Sequence, residues 1–207
     1  MLQTQTVEPG TLSVLKKLME LPELSSFLLV GGTALSLHYG HRISVDLDLF
    51  NPQEFNNDSV IPILEKHFKG FTYNNSANSI GLFGFIDNVK VDFVKHQFLL
   101  IDAPFISEGI RLISIPDIIA MKINAVMKRG VKKDFWDIAE LLQHYPVEDF
   151  IRFYEKKYPS QQLLISVPQA LVYFDDAEES QDPISLKGQT WDSVKKLIQH
   201  KVSNFLK

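Results

Sequence analysis

Short apolar runs with a two-residue period dominate the first 113 residues and predict a sheet with helices between its strands. Residues 43–50 alternate strictly, so that Ser44, Asp46, Asp48 and Phe50 share one face of a predicted strand and aliphatic side chains occupy the other. The pair Asp87-Asn88 predicts a hairpin turn, because both residue types tolerate positive φ. The other predicted strands are residues 27–30, 80–86 and 89–94, and the predicted helices are residues 11–20, 33–39 and 58–68.

After residue 113 the apolar period changes from two to 3.6 residues, which predicts helices. Ser114 has the position of an N-cap, with a proline in the first turn that follows. The predicted helices are residues 117–129, 133–145 and 147–158, and an exposed acidic loop follows at 175–183. The chain is therefore expected to adopt an α+β fold, with a mixed β-sheet core flanked by helices in residues 1–113 and a helical region packed on it in residues 114–207.

Composition limits the chemistry that this chain can perform. Of its 207 residues, 45% are apolar and 22% are charged, which is typical of a globular protein with a full core. There is no cysteine, which excludes disulfides, thiolate zinc sites and cysteine nucleophiles. The N-terminus lacks the pattern of a signal peptide and the apolar runs are too short to cross a bilayer, so we expect a soluble, cytoplasmic protein with no membrane partner.

The charges lie in blocks, although the formal net charge is only −4. Residues 122–133 hold five bases and no acid, whereas residues 134–182 hold three bases and eleven acids. Solvated helix faces explain such blocks as readily as a phosphate-binding surface does.

Asp46 and Asp48 place two carboxylates on one face of the predicted strand. A shared divalent cation would offset their repulsion, but an isolated pair of this kind more often simply faces solvent. Three companions favour the cation: the turn Gly31-Gly32 with Thr33 at a helix start, Asp92 beside Lys90 on another strand, and Lys122 on the basic helix.

These residues resemble a known family. The stretch VGGTALSLHYGHRISVDLDLF is similar to the nucleotidyltransferase signature of the AbiEii/AbiGii abortive-infection toxins, in the polymerase-beta-like minimal nucleotidyltransferase superfamily. The stretches PDIIAMKINAVMKRGVKKDFWDIAELL and ALVYFDDAE resemble later parts of the same family. The resemblance extends from about residue 25 to 185.

The resemblance implies transfer of a nucleoside monophosphate from an NTP to an acceptor. In family members studied as toxins that acceptor is the 3′ end of tRNA, and an antitoxin is the partner. The residues that it implies are Asp46, Asp48 and Asp92 for two Mg²⁺ ions and catalysis, Lys122 for phosphate, and Gly31, Gly32, Thr33, Arg42, Asp134 and Asp137 for the nucleotide.

Several alternatives stay open from the residues themselves. Arg129, Lys132 and Lys133 would form an acceptor-binding surface, or Lys132 and Lys133 would merely belong to a solvated helix end. Asp134 or Asp137 would serve the site, or pair with the nearby lysines. His41 is expected to contact nucleotide or hold its loop, and His38 to be structural. The same site could also modify a protein or a small molecule, or bind nucleotide or antitoxin without catalysis.

Overall fold

The computed structural model describes residues 1–74 and 80–207. Within this range a mixed sheet of seven strands forms the centre of the protein. The strands are β1 (Leu28–Val30), β2 (Leu47–Asn51), β3 (Phe71–Asn74), β4 (Gly81–Ile86), β5 (Val89–Lys95), β6 (Phe105–Ser107) and β7 (Ile110–Leu112). Their spatial order is β3-β4-β5-β2-β1-β7-β6, with β1–β7 and β2–β5 as parallel pairs.

Helices flank the sheet and form most of the C-terminal half. They are α1 (Pro9–Glu20), α2 (Gly31–Tyr39), α3 (Asn57–His67), α4 (Ile115–Lys128), α5 (Lys132–Leu141), α6 (Val147–Lys157), α7 (Val167–Leu171) and α8 (Trp191–Phe205). The predicted cap of α4 is confirmed, because the side chain of Ser114 accepts a hydrogen bond from the backbone N–H of Asp117 at 3.2 Å. The predicted mixed sheet with a helical C-terminal part is confirmed as well.

The hairpin of β4 and β5 forms as predicted. Asp87 and Asn88 both have positive φ, at 48° and 68°, and the two flanking strands pair antiparallel through Ile86 and Val89. The strand β5 then pairs parallel with β2, so that the side chains of both strands alternate in phase. This pairing brings Asp92 beside Asp48.

The strand prediction for residues 43–50 is wrong in its first half. The strand begins at Leu47, and Ser44 instead makes an isolated bridge with Val7 while Arg42 pairs with Ser185. Residues from the two ends of the chain thus take the backbone hydrogen bonds that a sheet neighbour would have supplied. Asp46 consequently lies just before β2 rather than within it.

Other boundaries also differ from the prediction. The helix α2 begins at Gly31 instead of residue 33, and α5 ends at Leu141 instead of residue 145. The short strands β3, β6 and β7 were not predicted, because each has only three or four residues and, unlike β1, contains a polar residue that interrupts its apolar run.

The two halves of the chain share one hydrophobic core. Leu29 and Leu35 from the sheet half and Ile119 and Ile138 from the helical half belong to the same buried cluster. The domain boundary at residue 113 therefore stays a prediction. In the described part of the chain, no helix combines the length and apolar character that crossing a membrane requires.

Candidate active site

Two aspartates are neighbours across the parallel strands β2 and β5. Asp48 and Asp92 are register partners, and adjacent strands lie about 4.8 Å apart. Burial, together with the charge of Asp92, raises the pKa of the Asp48 carboxyl above its usual value. Because two carboxylates at this separation repel each other, the pair favours a shared cation.

Two lysines neutralise part of this charge. The Nζ atom of Lys90 lies 2.5 Å from Oδ2 of Asp92, and Nζ of Lys133 lies 3.6 Å from Oδ2 of Asp46. The lysine side chains are 45% and 46% exposed. Ion pairs with this exposure contribute little to stability, so another cation can replace either lysine.

The donor atoms of this cluster suit a hard divalent cation such as Mg²⁺. The Oδ1 atom of Asp92 is buried and has no hydrogen-bond partner among the described residues. Within residues 1–74 and 80–207, however, no group of three or more His, Cys, Asp or Glu side chains is gathered closely enough to hold a metal ion. The pair Asp48–Asp92 thus fits the cation, whereas recruiting Asp46 requires a side-chain movement.

The glycine turn brings the start of α2 against the carboxylates. Gly31 has a φ of +70°, and a Cβ atom there would lie 2.7 Å from Oδ2 of Asp48. A Cβ atom on Gly32 would lie 2.1 Å from Nη2 of Arg42. No side chain in the described range caps the start of α2, so the first backbone N–H groups of this helix are suited to an anion.

Thr33 fixes the segment that carries Asp46. Its buried hydroxyl lies 2.8 Å from Oγ of Ser44 and donates to the backbone carbonyl of Asp46. Thr33 therefore positions the segment from Ser44 to Asp46 through hydrogen bonds within the protein.

A buried ion network lies behind the turn and is centred on Asp137. Arg42 binds this carboxylate in a bidentate manner, with Nε at 2.7 Å from Oδ1 and Nη2 at 2.9 Å from Oδ2. Nε2 of His41 lies 2.7 Å from Oδ1, and Nζ of Lys122 lies 2.5 Å from Oδ2. Burial alone would raise the pKa of Asp137, but Arg42 and Lys122 hold this pKa well below its usual value.

Asp134 extends the network toward the surface. Its carboxylate lies 2.8 Å from Nζ of Lys122 and 3.1 Å from Nε of Arg129. Three cationic side chains (Arg42, Lys122, Arg129) thus face two carboxylates (Asp134, Asp137), which leaves one positive charge. The side chain of Arg129 is 58% exposed and presents that charge at the surface.

A cavity of about 510 Å³ connects these features. The glycine turn, Asp46 and Asp48 line it, and α4 contributes Met121, Lys122 and Asn124. Its other walls include Phe50, His96, Phe98 and Tyr158. A cavity with carboxylates, cations and aromatic rings in its walls has the size and chemistry of a nucleotide site.

The family described as "Nucleotidyl transferase AbiEii toxin, Type IV TA system" matches residues 13–190 of this chain. The protein belongs to this family. The fold and the nucleotidyltransferase toxin class implied by the sequence motifs are thereby confirmed.

One sequence relative and two solved structures are similar to this AbiEii chain. It is 32% identical over 200 residues to the uncharacterized protein aq_aa25 of Aquifex aeolicus, covering 93% of this chain and 94% of the relative. A putative nucleotidyltransferase from H. pylori shares the fold with a TM-score of 0.55 at 18% identity, over 96% and 97% of the two chains. The nucleotidyltransferase toxin MenT4 of Mycobacterium tuberculosis gives 0.59 at 13% identity, over 92% and 81%.

Most of the predicted site residues meet around the AbiEii cavity. Those that line it are Gly31, Gly32, Thr33, Arg42, Asp46, Asp48, Lys122, Arg129 and Lys133. Asp92 adjoins Asp48 from the neighbouring strand. Asp134 and Asp137 lie in the buried network, where the predicted pairing with Lys122 is confirmed.

Two predicted residues already have partners within the protein. Nζ of Lys132 lies 2.9 Å from Oδ1 of Asp182 and near the ring of Trp191, so this lysine points to the C-terminal region. Lys122 is buried and is already bound by two carboxylates. Its direct contact with phosphate stays a prediction. His41 holds the loop through Asp137, whereas His38 is exposed and packs on Tyr39.

Sequence reasoning gave no role to several residues at the site. The spacing of two within one strand placed Lys90 beside Asp92, but the ion pair between the two side chains was not predicted. His96, Phe98 and Tyr158 reach the cavity from a loop and from the end of α6. No local pattern places those segments, so their contribution depends on the tertiary structure.

Proposed function

We propose that this AbiEii protein transfers a nucleoside monophosphate from an NTP to the 3′ hydroxyl of tRNA and releases pyrophosphate. The observation that supports the proposal most is the pair Asp48–Asp92 beside the uncapped start of α2, next to a cavity of about 510 Å³. This combination provides an anion site next to paired carboxylates.

Each part of the site has a role in the proposed reaction. The backbone N–H groups after Gly31 bind the triphosphate. Arg129 and Lys133 were expected at the acceptor, but because they line the same cavity as Gly31 we assign their positive charge to the triphosphate. Asp92 orients the attacking hydroxyl and accepts its proton. The acceptor oxygen forms a bond to the α-phosphorus, and the bond from this phosphorus to the oxygen that bridges to the β-phosphate breaks.

Asp48 and Asp92, joined by Asp46, would hold two Mg²⁺ ions in this proposal. When bound, Mg²⁺ offsets the charge of the carboxylates and of the attacking and leaving oxygens. The exposed ammonium groups of Lys90 and Lys133 then become available for phosphate oxygens. The buried network around Asp137 keeps Arg42 against Gly32 and thereby positions the turn.

The proposal includes the biological setting of the family. A type IV toxin–antitoxin system implies a cognate antitoxin that restrains the toxin. We place both partners in the cytoplasm, where NTPs and tRNA are available.

The test is incubation of the protein with Mg²⁺, bulk tRNA and each of the four NTPs labelled at the α-phosphate. We expect label on RNA that disappears with Asp46→Ala. Label in the protein or small-molecule fraction would assign a different acceptor. Stabilisation of the fold by Mg²⁺-NTP without release of pyrophosphate would indicate a silent binding module and would contradict the proposal.

A further inference from the structure

A second recess lies on the far side of Asp92 from the nucleotide cavity. It has a volume of about 270 Å³ on the sheet face formed by β3, β4 and β5. Asp46 and Asp48 line the larger cavity, whereas Asp92 lines the smaller recess. The carboxylates therefore stand between two openings. The larger opening contains the start of α2, where we propose that the triphosphate binds. The smaller opening is therefore available for the second substrate.

The strand register builds this recess from rows of side chains. One row of register partners crosses β2, β5, β4 and β3 and consists, in that order, of Asp48, Asp92, Phe83 and Asn74. The adjacent row consists of Lys90, Phe85 and Thr72. Both rows share one face of the sheet, since their positions on β4 and β5 are two residues apart. We call the surface formed by Thr72, Asn74, Phe83, Phe85, Lys90 and Asp92 the aromatic groove.

Two phenylalanine rings of the aromatic groove are partly exposed to solvent. Phe85 is 48% exposed, and Phe83 is half-buried. Their neighbours Leu82 and Ile86 point to the opposite face and are completely buried. Exposed rings separated by two strand residues, about 7 Å, can each accept one base of a single strand by stacking.

We infer that the aromatic groove binds the single-stranded 3′ end of an RNA acceptor, with bases stacked on Phe85 and Phe83 and the terminal hydroxyl at Asp92. The reaction part of this inference rests on the proposed function, whereas the binding part does not. Lys90, whose side chain is 45% exposed, supplies a cation for the RNA backbone.

The charge of the groove favours RNA over a cationic small molecule. To bind a cationic molecule, the recess would need several carboxylates of its own. In the described part of the chain Asp92 is the one acidic residue that lines the recess, and it is paired with Lys90. Stacking platforms with neutral Thr and Asn side chains beside them suit bases of any sequence.

The test measures binding of a 5′-fluorescein-labelled, mixed-sequence single-stranded RNA octamer by anisotropy, with Mg²⁺ and without NTP. The variant Phe85→Ala is compared with Phe85→Trp, which keeps a ring, and with Tyr173→Ala. Tyr173 is also 48% exposed but lies outside the recess. Phe85→Ala should raise Kd about 5- to 100-fold at both low and moderate salt, because stacking is lost rather than charge. Phe85→Trp and Tyr173→Ala should stay within about twofold of wild type.

An octamer affinity that is unchanged in Phe85→Ala would overturn the inference. If label transfer to a protein or small molecule then falls in the same variant, the groove binds that other acceptor instead of RNA. If wild type labels no RNA but Phe85→Ala still binds the octamer more weakly than wild type, the proposed reaction would be contradicted and the RNA-binding role of the groove would be supported. In an active enzyme, Phe85→Ala should raise KM for the RNA and leave KM for the NTP unchanged.

Discussion

The carboxylate of Asp48 lies at an unfavourable position for a negative charge. Burial and the neighbouring Asp92 both raise its pKa, so the ionised pair lowers the stability of the metal-free fold. A carboxylate whose pKa is raised on folding lowers the free energy of unfolding at pH values above its folded pKa. This loss of stability disappears as the pH falls below the unfolded pKa. Functional sites commonly retain such unfavourable groups at the expense of stability.

Asp48→Asn should therefore separate stability from activity. We expect the variant to unfold at a higher temperature than wild type in EDTA at neutral pH, because the repulsion with Asp92 is removed. Nucleotidyl transfer should fall at least about a hundredfold. Thermal unfolding and label transfer measure the two effects, with the exposed Asp192→Asn as the control. A variant that keeps full activity would contradict the role of Asp48.

Lys90 offers a second test at the residue scale, since it holds Asp92 in the metal-free site at 2.5 Å. Lys90→Met should destabilise the metal-free protein by up to about 1 kcal/mol, a small effect because the lysine is partly exposed. Mg²⁺ should then stabilise the variant more than it stabilises wild type. The difference in melting temperature between EDTA and Mg²⁺ measures this effect, and an equal difference in both proteins would refute it.

Among the elements, α4 and α5 are joined by a buried network that also holds the loop before β2. The carboxylates of Asp134 and Asp137 are buried but keep lowered pKa values, because Lys122, Arg42 and Arg129 surround them. Groups whose pKa is lowered on folding contribute stability above their unfolded pKa, and the contribution is lost as the pH falls through the folded value.

Removing the Asp137 carboxylate should leave the buried Arg42 guanidinium without its charged partner. Asp137→Asn should lower the free energy of unfolding by about 3–5 kcal/mol at pH 7. The difference from wild type should shrink below a pH of about 4, where the wild-type carboxylates begin to take up protons on unfolding. Urea unfolding at several pH values measures this difference in the free energy of unfolding. The control Asp182→Asn removes a carboxylate that is 55% exposed and paired with Lys132, and should cost less than about 1 kcal/mol.

The sequence predicts those features of the site that depend on local patterns within one element. Asp48 and the glycine turn were predictable because alternation and turn chemistry are local, whereas the position of Asp46 before β2 depends on bridges from distant parts of the chain. The pairing of Asp134 and Asp137 with Lys122 was foreseen only as an alternative, since it depends on how α4 packs against α5. The direction of Lys132 depends on Asp182 in a distant loop, and the aromatic groove depends on the pairing of β3 with β4. Neither contact leaves a local pattern.

At the scale of the whole molecule, one core joins the sheet to the C-terminal helices. We therefore expect a single cooperative unfolding transition rather than separate melting of residues 1–113 and 114–207. Trp136 and Trp191 lie in the helical half, so their fluorescence reports on that half alone. The fluorescence midpoint should coincide with the midpoint from far-ultraviolet circular dichroism. Two resolved midpoints would instead support independent domains.

The proposed reaction is nucleotidyl transfer by carboxylates that stand between an NTP site and an acceptor groove. The most direct measurement incubates the protein with RNA, Mg²⁺ and the same NTP labelled at either the α- or the γ-phosphate, beside Asp92→Asn. We predict that wild type retains α-label on RNA and releases γ-label as pyrophosphate, and that Asp92→Asn retains neither. Retention of γ-label, or equal α-labelling by Asp92→Asn, would contradict the account.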